Sequence, residues 1–158
     1  MPPTKSLRLQ ALERVRTVLQ AITTGDTYWK QPYEVLNKAI LLEQMTGFPT
    51  YMVFTAPSDN TELAGAPDNY DEVFQITVCG IVQDETDPPA ALEKALQDVR
   101  KAINTDSKLQ TSGALGNIAL STTMYGQVKT YEGLLSSEGF AYFEQPIDVL
   151  INGDFGEL

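Results

Sequence analysis

Glu72-Val-Phe-Gln-Ile-Thr-Val-Cys-Gly-Ile-Val-Gln83, followed at once by Asp84-Glu-Thr-Asp-Pro-Pro89, is the stretch whose reading decides the fold. Phe74, Ile76, Val78, Gly80 and Val82 alternate with Val73, Gln75, Thr77, Cys79 and Ile81, the period of two that a strand imposes. The first set suits a core packed on helices, and the mixed second set suits a partly covered face. The acidic run then marks a helix start. Asp87 can accept from free backbone N–H groups, Pro88 fits the first turn, and carboxylates favour the positive end of the helix dipole. This helix continues to about residue 104, with Leu92, Ala95, Leu96, Val99, Ala102 and Ile103 on one face.

On the N-terminal side, residues 4 to about 24 place Leu12, Val15, Leu19 and Ile22 at helical spacing, with Gly25 as a stop. Residues 28–45 fit either strand or helix, and Pro32 with the Tyr28–Trp29 pair favours an extended piece beginning near Tyr33. After Gly47-Phe48-Pro49, residues 50–56 are rich in aromatic and β-branched types and predict a buried strand. Residues 57–70, with Gly65, two prolines and three acids, show neither period. Loops this long are usually functional or disordered, so the segment is expected to be an interaction arm with Asp59, Glu62, Leu63, Asp68 and Tyr70 as its candidate contact residues.

On the C-terminal side, residues 106–116 suggest a loop, 117–125 and 140–151 two further strands, and 152–158 a polar tail. Ala141, Phe143, Gln145, Ile147, Val149 and Ile151 share one face of the last strand, and Pro146 suggests an edge or a bulge. The expected order is helix, two strands, arm, strand, helix, two strands. It gives an α+β fold in a single domain over residues 1–158: a mostly antiparallel sheet with two helices on one face and a long hairpin arm. The other face stays open unless a partner covers it.

The 158 residues, 42% hydrophobic and 20% charged, are ordinary for one globular domain. The charge is not: 21 acidic against 11 basic side chains give −10. Nucleic-acid affinity rests on cations that displace counterions from phosphate, so an evenly mixed chain at −10 is a poor candidate for binding it, or an anionic membrane. No apolar run approaches a membrane span, and the N-terminus lacks the apolar stretch of a signal peptide. Cys79 is the single cysteine, which fits a reducing compartment.

Histidine is absent, which removes the commonest general base and metal ligand and every Ser–His or Cys–His pair. The carboxylates of Asp84, Glu85 and Asp87 could bind a cation, but capping explains them and the following prolines better. Cys79 lies in an apolar strand and reads as structural. Gly113-Ala114-Leu115-Gly116 is too short for a phosphate loop and reads as a turn. Tyr28, Trp29 and Tyr33 are expected to plug the end of the sheet rather than form a ligand platform. No enzyme activity, cofactor or metal is expected.

Taken together, these segments resemble the tail terminator proteins of long-tailed phages. The likeness runs through the helix at 7–22, Gly47-Phe48-Pro49 into Tyr51–Phe54, the long insertion, Phe74–Val82, the acidic turn, and the helix at 91–103. Its most specific part is the Leu96-x-Asp-Val-x-x-Ala102 run followed by Asp106. Gln110-Thr111-Ser112, where more glycine is expected, and the tail after Ile151 depart from the pattern. The resemblance implies a virion subunit that closes a ring with copies of itself, expected to number six. The ring would sit on the tail tube protein below and a head–tail connector protein above. DNA would pass through the lumen without specific binding, and Asp59, Glu62 and Asp68 are candidates to line it. Another neck subunit would share these properties. A monomeric ligand- or peptide-binding module is the contrasting possibility, distinguished by oligomeric state.

Overall fold

The computed structural model describes residues 5–55, 62–66, 69–106, 109, 118–119, 121–124, 129–130 and 138–153, with backbone alone for 62–66, 69 and 129–130. Helix α1 (Leu7–Gln20) begins where the Ser6 hydroxyl accepts from the Leu9 N–H, and it buries Ala11, Val15 and Leu19. Strands β1 (Glu34–Leu36) and β2 (Thr50–Thr55) pair in parallel. The short strand β3 (Glu62–Ala66) and the long strand β4 (Asn69–Gln83) follow. Helix α2 (Pro88–Thr105), β5 (Ser121–Met124), β6 (Lys129–Thr130) and β7 (Phe140–Gly153) complete the described elements.

The sheet order is β1-β2-β4-β7-β5, with β3 added to β4 and β6 to β7. All described pairings between these strands except β1–β2 are antiparallel. Its spine is the β4–β7 ladder, which runs from Tyr70 opposite Gly153 to Gln83 opposite Phe140. Both helices pack on one face, where Val15, Leu19, Leu92, Leu96, Val99 and Ile103 meet Tyr51, Phe74, Ile76, Val78, Phe143 and Ile147. The fold class and the facing of β4 and β7 agree with the sequence pattern.

Glycine at position 80 is required by this packing. A Cβ there would stand 2.2 Å from the Phe143 ring directly across the ladder. Gly139, at φ +76°, admits β7 beside the acidic turn: its carbonyl accepts from the Asp84 N–H at 2.9 Å, and a Cβ would strike the Asp84 carbonyl.

Four expectations need correction. The arm is not aperiodic throughout, because residues 62–66 form β3, laddered from Glu62 opposite Val73 to Ala66 opposite Asn69. Its Ala-Gly-Ala stretch carries no alternation to read, since backbone pairing alone defines the strand. Pro146 is not on an edge strand: it lies opposite Thr77 inside the sheet. On its other side the described pairs of β5 end at Met124 opposite Ile147 and those of β6 begin at Lys129 opposite Glu144, so Pro146 falls between the two described ladders. Asn152 and Gly153, expected in the polar tail, belong to β7, and residues 154–158 lie outside the described residues.

The fourth correction concerns the second face of the sheet, which is half covered by the chain itself. Residues 37–49, with a 3-10 turn at Leu42–Gln44, cross it between the parallel strands. They bring Met45, Ile40, Leu42 and Phe48 onto Met52, Cys79, Ile81 and Tyr142. Towards the arm the same face is mixed, with half-buried Val73, Gln75, Asp148 and Leu150 and exposed Ser121.

Candidate assembly surfaces

The arm grows from a clamp at its root. Glu72 shares the register of Phe74 and Ile76, so β4 carries its carboxylate towards the helix layer, where only 3% of the residue is exposed. Arg8 of α1 meets it, with Nη1 3.1 Å from Oε1, and spreads its guanidinium over the Phe74 ring at 5.1 Å. Across the ladder the Asn152 side-chain amide donates to Asp71 Oδ1 at 2.6 Å, binding the end of β7 to the start of the arm. Arg8, Glu72 and Asn152 were missed by the sequence reading. An acid placed in the core-facing set of a strand was the available signal.

Of the predicted arm residues, the structure brings three into one ladder. Leu63 pairs with Glu72, Glu62 with Val73, and half-buried Tyr70 sits between Gly65 and Gly153. Asp59 and Asp68 lie outside the described residues.

A second surface forms along the exposed side of α2. Asp98 on this helix is 1% exposed and accepts the backbone N–H groups of Trp29 and Lys30, each at 3.0 Å. That anchor pins residues 29–30 against α2. The Trp29 indole N–H donates to Gln97 at 2.8 Å, and Lys94 stands 5.1 Å from its ring. Lys101 takes the same position over Tyr28 at 5.9 Å and donates to the Thr27 carbonyl. The expected aromatic plug therefore holds for Tyr28, which packs on the core, and not for Trp29 and Tyr33, which are 57% and 59% exposed. Anchoring by Asp98 turns the indole into a surface feature.

The residues weighed for chemistry have structural employment. Asp84 Oδ1 accepts from the N–H groups of Asp87 and Thr86, which hold its carboxyl below the usual range. Asp87 caps α2 by accepting from Ala90 N–H at 3.1 Å. Burial pushes the Cys79 thiol up, and its sulfur lies 3.3 Å from the Tyr142 hydroxyl, which donates to Glu144 Oε1 at 2.6 Å. Residues 113–116 lie outside the described part. Among the described residues no group of three His, Cys, Asp or Glu side chains could hold a metal ion, and no helix is long and apolar enough to cross a membrane.

Between Trp29, Lys94, Val82 and Gln83 lies an open cleft of about 220 Å³. The adjoining groove along α2 is larger, about 680 Å³, but both are open to solvent, whereas small-molecule pockets bury most of their ligand. This shallow, wide groove continues along α2 past Gln97, Arg100 and Lys101 to Asn104. Such a surface suits a protein segment better than a small ligand.

Three comparisons bear on what these surfaces serve. No curated protein matches the chain. Among solved structures, a chain of "Virion of native gene transfer agent (GTA) particle" is similar, with a TM-score of 0.53 at 14% identity, covering 92% of this chain and 95% of that one. At that identity the likeness is one of fold. A family model described as Bacteriophage Tail Tube Terminator Protein matches residues 3–149, from ahead of α1 to near the end of β7. The chain therefore belongs to the bacteriophage tail tube terminator protein family.

Proposed function

We propose that this phage tail structural protein works as a ring subunit, with six copies as the expected number, that caps the tail tube and joins it to the head through a connector protein. The observation that carries this reading is the family match over residues 3–149, which includes the arm. Two features of the chain support it. The backbone of residues 62–66 pairs with β4, and the half-buried Arg8–Glu72 pair sits at the root of this ribbon. The net charge of −10 lets DNA pass without adhering, since phosphate is repelled by carboxylates. Asp59, Glu62, Leu63, Asp68 and Tyr70 remain the arm's proposed contact residues.

The reading has no catalytic step, and the chain's part is to supply shape and charge. Electron microscopy of the purified chain, alone and mixed with tail tubes, tests it. Rings on tube ends are the expected result. A monomer that leaves tube ends bare and binds only the connector would replace the proposal with a neck subunit.

A further inference from the structure

The charges of this chain are sorted along its sequence. Residues 57–71 carry four carboxylates, Asp59, Glu62, Asp68 and Asp71, and no Lys or Arg. The groove along α2 is lined by Lys94, Arg100 and Lys101 against Glu93, with Asp84 in the cleft beside Lys94, and Asp26 and the buried Asp98 beside Lys101. Of the other described cations, Lys5, Arg8 and Arg14 pair with Glu13, Glu72 and Asp106 of their own chain, while Arg16 donates to the Val53 carbonyl. Among the described residues Lys94, Arg100 and Lys101 make no ion pair. They contact the Trp29 ring, the Gln145 amide oxygen, and the Thr27 carbonyl with the Tyr28 ring. A protein at −10 thus keeps a cationic strip with an exposed indole beside it.

One copy cannot join its own two surfaces. Val82 lines the same cleft as Lys94, whereas the arm turns back at Asn69, the other end of β4. Thirteen residue steps separate Val82 from Asn69, and at about 3.4 Å per step the arm's tip lies roughly 44 Å away along the strand. Helix α2 starts beside the cleft and runs back over the sheet for only about 26 Å at 1.5 Å per residue. Two unlike, complementary patches on separate parts of a subunit make a head-to-tail contact, and such contacts close rings.

The geometry points to the occupant of the α2 groove: the acidic arm hairpin of the adjacent copy, seated on Lys94 and Lys101 beside Trp29. This inference rests on the ring proposed above and assigns the two surfaces that build it. It places the arm's acids between subunits instead of in the lumen.

The experiment uses two charge-reversed full-length variants. One carries Lys94→Glu with Lys101→Glu, the other Glu62→Lys with Asp71→Lys. Thermal melting first verifies that each folds. Ring formation is then read by light scattering and electron microscopy, on tail tubes if the wild-type chain closes only there. Each variant alone is expected to lose rings, because like charges meet at every contact. An equimolar mixture is expected to recover them, since in an even-numbered ring alternating copies pair every reversed groove with a reversed arm. Wild-type rings should also loosen as salt rises, because exposed charges are screened. Rings from either variant alone, or none from the mixture, overturn the assignment while leaving the wild-type ring intact. An arm variant that closes normally but blocks DNA passage overturns it in favour of the lumen. A wild-type chain that never rings, on tubes or off, removes the parent reading and this one with it.

Discussion

Arg8 and Glu72 meet where the arm leaves the body, with Nη1 3.1 Å from Oε1, the carboxylate side buried and the guanidinium side 40% exposed. The asymmetry sets the cost of breaking the pair. Removing one partner of a buried ion pair costs roughly 3–5 kcal/mol, and water around the half-exposed Arg8 reduces this to about 2 kcal/mol. Arg8→Ala should therefore lower Tm by roughly 4–8 °C for a chain of this size. Replacing both residues by leucine should restore much of the loss. An unchanged Tm in Arg8→Ala would remove the clamp from the account.

Asp98 predicts a spectroscopic change. Its carboxylate holds the N–H groups of Trp29 and Lys30 from inside the core, and Trp29 is the only tryptophan. Asp98→Ala strands those donors and should cost about 3 kcal/mol, the scale of bonds to a charged acceptor. The indole should then be quenched more readily by acrylamide while helix content stays near native. Asp98→Asn keeps one acceptor oxygen and should fall between. Identical quenching in all three proteins would show that the anchor does not position the indole.

Gly80 and Phe143 test the spine. Gly80→Ala puts a methyl group 2.2 Å from a fully buried ring, so Phe143 or the strand must shift. Overpacking of this kind costs roughly 1–3 kcal/mol. Pairing it with Phe143→Leu, which vacates the space, should recover part of the stability despite the lost ring. If Gly80→Ala melts like the wild type, the β4–β7 register is wrong.

What the sequence made legible was whatever burial writes into side-chain period. Phe74, Ile76 and Val78, or Leu92, Leu96 and Val99, each face one core, so their spacing reports it directly. Gly80 falls in the correct set, although nothing local says that it faces Phe143, a residue 63 positions later. Strand β3 was illegible because Ala64, Gly65 and Ala66 carry no alternation and owe their conformation to pairing with β4. Residues 37–49 were illegible for the opposite reason. They lie over the second face of the sheet without a repeating pattern, and only Ile40, Leu42, Met45 and Phe48 pack on Met52, Cys79 or Ile81. Of the candidate site, the arm was visible as an interruption. The cationic side of α2 is not legible in the sequence, because its setting depends on Trp29, which Asp98 brings there.

The acidic turn before α2 separates capping from cation binding. Asp87→Ala should cost about 1 kcal/mol, the usual worth of an N-cap, and lower Tm by roughly 2–4 °C. Added calcium or magnesium should leave the wild-type Tm where it was. Asp84 adds a pH dependence. Its carboxyl is held below the usual range by the N–H groups of Asp87 and Thr86, so the folded chain binds that proton less readily than the unfolded one. The stabilisation is therefore present above the unfolded value, near 3.9 for an aspartate, and is lost as pH falls through the lower folded value. Asp84→Asn should flatten that acid-side decline. A metal-dependent rise in Tm would instead restore the turn as a cation site.

Deleting residues 58–69 separates the arm's role in assembly from any role in folding. The core residues of both faces lie outside that segment, and β2 reaches β4 through pairs from Thr50 opposite Ile81 to Thr55 opposite Ile76. Ala56 and Pro57 span only about 11 Å, less than the roughly 20 Å of strand between Ile76, the partner of Thr55, and Tyr70. Tyr70 and Asp71 must therefore leave the ladder and serve as the new loop into Glu72. The shortened protein should therefore fold and melt cooperatively, with Arg8 still clamped on Glu72. It should fail to cap tail tubes, because the contact ribbon is gone while the sheet and both helices remain. Capping at wild-type efficiency would mean that the strand faces or the helix layer make the ring without it. Loss of cooperative melting would mean that β3 supports the end of β4 that carries Glu72, so that root and ribbon form one folding unit.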